Sequence, residues 1–375
     1  MISHKKPVRK RALAIMLAAM MVVTLLPAAA GAKPSDKDSS PSCDTRVNNT
    51  IDKLLECVTV EGVRAHQAAL QAVADANDGT RASGTPGFDA TVDYVVETLE
   101  DAGYDVELNG FPFTFSALGE VQQLTPVSVD YPTGSMSGTG FGDVTGNVIP
   151  VDLALGTVDW PALPSDSTSG CEAGDFAGLD WSGPNDIALV QRGACFFSVK
   201  AVNAEAAGAE AVVILNQGNT PERSGPVNGN ATALPDGTPS NIGVPYVGVS
   251  TAAGVALSAE GATARVVVDP PVESTQYNIL AELPGKNDDN VVMVGAHLDS
   301  VQAGPGIQDN GSGSAAILET ALQMSKVKPQ NTVRFAWWAA EEAGLVGSTE
   351  YVAGLSQEEL DRIALYLNFD MIGSP

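Results

Sequence analysis

Four segments between 291 and 373 each carry residues able to do chemistry. "VVMVGAHLDS" closes with His297 and Asp299, two positions apart and so on one face of an extended chain. An imidazole there could bind a metal through one nitrogen while the carboxylate orients the other. The same pair also fits a capped strand end with a structural histidine. "GPGIQDNGSGSA" sets Asp309 and Asn310 in a glycine-rich loop ahead of a helix. A carboxylate in that loop could bridge two cations, or serve as a turn and N-cap. "VRFAWWAAEEAGLVGS" runs an apolar strand into Glu341 and Glu342, whose side chains should point apart at a strand end. One could bind a cation while the other accepts a proton from water. An acidic pair at a helix start would suit the helix dipole equally. "LYLNFDMIG" ends a fourth run in Asp370, alone a turn former and, as part of this set, a credible ligand.

Histidine with carboxylates and no cysteine suits zinc, with manganese or cobalt as alternatives. Two cations about 3.5–4 Å apart, sharing a carboxylate, form a hydrolytic arrangement.

Such residues need elements to position them. Strand and helix alternate from "DPPVESTQYNILAELPG" to the end, which predicts an α/β fold with a largely parallel sheet covered on both faces. Ligands in such sheets collect at the carboxyl ends of strands. The segment from Thr45 shows helical spacing up to Gly79, with His66 at a surface or core-edge position. "TRASGTPGFDATVDYVVETLEDAGYDVELNGF" reads as a turn, an amphipathic helix ended by Gly103, and a strand. Between about 115 and 270 the chain turns rich in Gly, Pro, Ser and Thr, with short β-branched runs and one clear helix, Phe197–Ala209. That composition predicts a small β-rich domain.

The chain of 375 residues begins with a basic segment, an apolar run and a small-residue site, the order of a secretory signal over 1–32. An uncleaved membrane anchor is the rival reading. A polar linker, expected to be mobile, follows over 33–44. Cleavage would remove Lys5, Lys6, Arg9, Lys10 and Arg11 and no acids, taking the net charge from −25 to −30. So acidic a surface argues against nucleic acid or an anionic membrane as partner. Four cysteines in an exported chain favour disulfides, and pairing of Cys43 with Cys57 and Cys171 with Cys195 is the simplest of three connectivities. Asn48 and Asn230 match glycosylation sequons.

Taken together, "GAHLDS", "GIQDNGSGSA", "WWAAEEAGLVGS" and "LNFDMIG" resemble the secreted dinuclear zinc aminopeptidases of the aminopeptidase S and aminopeptidase Y type. The separations also agree, twelve residues from His297 to Asp309 and twenty-eight from Glu342 to Asp370. "TRASGTPG" is similar to a further motif of that family, and "CEAGDFAGLDWSGPNDIALVQRGACFFSVKAVNAEAAGAEAVVILN" is similar to a protease-associated domain. The resemblance implies a three-layer α/β/α peptidase fold, split into 45–118 and 273–375, with a protease-associated domain over 119–272. It also implies a Cys171–Cys195 disulfide there. His297 and Asp370 would hold one zinc, Asp309 would bridge to a second, and Glu342 would hold that second ion. Glu341 would be the general base, and Asp299 would orient His297. A cis Asp309–Asn310 peptide is implied as well. Substrates would be peptides with a free N-terminus, cleaved by a secreted monomer.

The family's second-site histidine has no counterpart here. Only His4 and His66 accompany His297, so the sequence reads as C-terminally truncated, with poor activity and stability expected. Three alternatives stay open: a carboxypeptidase of the same superfamily, a binding protein that lost catalysis, and a single-metal glutaminyl cyclase.

Overall fold

The computed structural model describes residue 43 and residues 45–155 and 167–374. The expected signal at 1–32 and all of the linker but Cys43 lie outside the described residues.

After a short helix at Ile51–Leu55, two longer helices follow. Thr59 caps α1 (Val60–Asp75) by accepting from the Gly62 amide, and α1 buries His66, Leu70 and Ala74. The next helix, α2 (Pro86–Asp101), starts where sequence rules place it: Thr85 caps it, Pro86 fills the first turn, and Gly103 at φ 93° follows its end. Its buried face, Phe88, Val92, Val95 and Leu99, packs on strand residues Phe111, Ile279 and Phe335.

Those strand residues belong to a five-stranded sheet. Its members are β1 (Val106–Phe115), β2 (Val272–Leu283), β3 (Asn287–His297), β4 (Asn331–Trp338) and β5 (Ile363–Asn368), in spatial order β1-β2-β4-β3-β5. The sheet is mixed. β3 runs parallel to both β4 and β5, as the apolar strand–helix alternation predicts. β1 and β2 pair antiparallel, and β2 pairs antiparallel with β4. The parallel half is the half that carries the chemistry. Between β3 and β4 comes α3 (Gly311–Met324), whose buried Ala315, Ile317, Leu318 and Ala321 cover the sheet. α4 (Val346–Gly354) follows β4. Trp337 is wholly buried at the centre, its indole donating to the Ser314 carbonyl at 3.1 Å.

Strands between Glu120 and Val268 build a separate eight-stranded sheet. Gly142–Pro150, Ile187–Gln191, Ala211–Leu215 and Tyr246–Val249 run parallel within it, and the last three are buried throughout. Burial on both faces explains why these runs read as unbroken Val, Ile and Leu rather than as alternation. The helix expected over Phe197–Ala209 spans Phe197–Ala207 and ends at left-handed Gly208. Both expected disulfides are present, Cys43–Cys57 and Cys171–Cys195.

Candidate metal centre

His297 is the last residue of β3, and the chain beyond it bends so that Asp299 is also buried. Its Nε2 lies 3.0 Å from Asp309 Oδ1, 3.5 Å from Asp370 Oδ1 and 3.7 Å from Glu341 Oε2. Ligand atoms of His297, Asp309 and Asp370 form one tight group, and those of His297, Glu341 and Glu342 another. All five candidate ligand and base residues therefore meet at the carboxyl ends of the parallel strands.

Each carboxylate has its own support. Asp309 sits between Gly306, at φ 57°, and the start of α3, and the Asp309–Asn310 peptide is cis, as the resemblance implies. Asn310 is fully buried and works in two directions. Its Oδ1 caps α3 through the Gly313 amide at 2.9 Å and accepts from Met371 N at 3.2 Å. Its Nδ2 donates to Phe369 O at 2.9 Å. One side chain thereby fixes the Asp309 loop against both neighbours of Asp370.

The acidic pair departs from the simple strand-end expectation. β4 stops at Trp338, and residues 339–345 form a turn with Ala340 at φ 53° and Leu345 at φ 61°. Outside a pleat, adjacent side chains need not diverge, and both glutamates reach the histidine. Asp299 fastens this turn: its two carboxylate oxygens accept from the Glu341 amide at 3.1 Å and the Glu342 amide at 3.3 Å. Toward His297 it offers Oδ1 at 3.5 Å and its backbone oxygen at 3.2 Å from Nδ1. Asp299 thus touches both the imidazole and the acidic pair, a second contact that the H-x-D spacing alone did not reveal.

Crowding of like charge shapes the electrostatics. Burial raises Glu342, and Asp309, Asp299 and Glu341 add to the effect against the opposing pull of His297, so it rests at about 7. Glu341 is also raised, first by burial. Burial works to lower His297, but hydrogen bonding and charge from Asp299, with Glu341 and Asp370, outweigh it and hold the imidazole at about 9. Carboxylates forced upward around an imidazolium are a site short of positive charge. Donor atoms 3.0–3.7 Å apart also match the edges of a tetrahedron whose metal bonds are about 2.0–2.1 Å long. Spacing and donor chemistry both fit a zinc-type cation.

The third histidine of the sequence takes no part. His66 is buried under α3, with Nδ1 2.6 Å from the Tyr94 hydroxyl and Nε2 3.4 Å from Glu319. It is more deeply placed than a surface residue, and its partners account for it.

Comparison with known proteins gives matches over both parts of the chain. Residues 278–375 match Peptidase family M28, and residues 144–257 match the PA domain. An aminopeptidase of Pseudomonas aeruginosa is 48% identical over 331 residues, 86% of this chain and 59% of that protein. Aminopeptidase Y of Saccharomyces cerevisiae is 34% identical over 338 residues, covering 86% and 60%. The solved structure of BSAP, a zinc aminopeptidase from Bacillus subtilis, is 26% identical with a TM-score of 0.59, covering 83% of this chain and 69% of that one. The chain spans about three fifths of the length of these curated relatives.

Proposed function

The chain belongs to peptidase family M28 with a PA domain inserted, and from that premise we propose that it is a secreted zinc aminopeptidase, releasing N-terminal residues from peptides. The carrying observation is the buried His297 Nε2 faced by three carboxylates within 3.7 Å. His297 and Asp370 would hold one zinc, Asp309 would be shared, and Glu342 would hold a second. Zinc bound there supplies Lewis-acid polarisation of the scissile carbonyl and acidifies a water. Glu341, its proton affinity raised first by burial, takes the proton of the attacking water. It then delivers that proton to the amine nitrogen as the C–N bond breaks. Asp299 keeps the Glu341–Glu342 turn and the imidazole in register.

Preference for the amino end of a peptide follows from charge. The acidic mouth suits an amine, and Arg334 is engaged by Glu282 and the Tyr351 hydroxyl rather than free to receive a carboxylate. Export is supported by the leader-like N-terminus and the two disulfides.

Hydrolysis of an aminoacyl anilide, lost on chelation and regained with zinc, tests the proposal. Turnover indifferent to chelator or to Glu341→Gln would overturn it. Zinc uptake without any turnover would favour the binding-protein reading.

A further inference from the structure

Arg81, in the "TRASGTPG" motif, is fully buried, yet no carboxylate among the described residues lies within ion-pair distance of its guanidinium. Its donors go to main-chain carbonyls instead. Nη1 donates to Leu298 O at 2.6 Å, Nε to Pro305 O at 2.8 Å and Nη2 to Gly306 O at 2.9 Å. Leu298 lies between His297 and Asp299. Pro305 and Gly306 begin the turn that delivers Asp309. One rigid fork therefore spans the two segments that carry the first two acidic and imidazole ligands.

Neighbours of Arg81 extend the grip. The Arg81 amide donates to Ser300 Oγ at 3.0 Å, and Ser83 Oγ accepts from the Ala340 amide at 2.7 Å, next to Glu341. Residues 81–83 thus contact the strand end that carries His297, the loop that carries Asp309 and the turn that carries Glu341, although more than two hundred residues separate them in sequence. Burying a cation without a contacting carboxylate is costly. Burial draws the guanidinium down to about 10, against the pull of Asp299, so it remains charged at neutral pH. Lysine, whose three donors radiate from a single nitrogen, could not match partners that Arg81 reaches from Nε, Nη1 and Nη2.

We propose that Arg81 is a positioning residue that holds the His297–Asp299 strand end and the Asp309 loop at the spacing one cation requires. The inference rests on the metal-site reading above. It makes the N-terminal segment part of the site's construction, with no contact of its own to metal or substrate.

Cobalt uptake by the chain, followed by calorimetry and by the visible absorption of the bound ion, tests this. Arg81→Met should weaken cobalt affinity at least tenfold and alter the absorption, with Arg81→Lys falling between. Leu257→Ala, in the core of the inserted domain, is the comparison for general destabilisation; it should lower the unfolding midpoint while leaving cobalt affinity unchanged. Should Arg81→Met not fold, Arg81→Lys carries the test alone, with the same expected direction. Native cobalt affinity in a folded Arg81 variant, or an equal loss in Leu257→Ala, refutes the positioning role. A wild-type chain that takes up no cobalt would sink the metal-site reading, and this inference with it.

Discussion

Replacing Lys200 by methionine should remove a pH dependence that one buried amine imposes on the inserted domain. Lys200 has no exposed surface and donates to the Ser169 carbonyl, with Cys171 Sγ at 3.5 Å. Burial lowers it from 10.5 to about 8, although Asp175 and Asp152 pull the other way. Between those values the unfolded chain binds more protons than the folded one, so stability rises with pH. At about 1.4 kcal/mol per unit, the full window corresponds to about 3 kcal/mol, most of which falls between pH 7 and pH 10. Lys200→Met abolishes this slope. It also leaves the Ser169 carbonyl without that donor, a loss of about 1–3 kcal/mol at any pH. Urea unfolding of both chains at several pH values separates the two effects. The native chain should gain about 2–3 kcal/mol over the variant as pH rises from 7 to 10. Parallel profiles over that range would show that Lys200 does not titrate as a buried amine, and the argument would fail.

Glu341→Gln should lower kcat about 10²–10⁴-fold with zinc uptake retained, as measured by anilide hydrolysis beside calorimetry. Zinc at a hundred times its Kd should stabilise the chain by about 2.7 kcal/mol, an increment that chelation reverses in a thermal melt. Trp337→Ala, at a wholly buried position, should cost about 3–5 kcal/mol in urea unfolding. Gly146→Ala would set a methyl 1.5 Å from the Asn185 carbonyl, so soluble yield and melting temperature should both fall.

Much of the site was legible because its residues stand where apolar runs stop. His297 and Asp370 are in this class, since a run of Val, Met and Ala or of Leu and Tyr announces a strand and its end together. Asp309 was legible from the glycines around it. Other features were not, because they depend on backbone groups that leave no mark in the sequence. The convergence of Glu341 and Glu342 comes from left-handed Ala340 and Leu345, residue types that give no warning of positive φ. Arg81 looks like an ordinary turn arginine until its three carbonyl partners are known. The antiparallel half of the sheet was hidden for another reason: β1 and β2 lie on either side of the insert, and strand alternation says nothing of direction.

β1 and β2 pair in register right up to Phe115 opposite Val272. Topologically they are the two arms of a β-hairpin, and everything from 116 to 271 is its turn. A turn of that length would ordinarily impose a heavy closure entropy on the hairpin. A turn that folds into its own sheet removes that burden, because it returns the chain to the point it left. A folded insert therefore holds the two arms close together for the β1–β2 pairing of the five-stranded sheet. By the same geometry, a short Asn-Gly turn joining Phe115 to Val272 should leave the sheet's strand order intact.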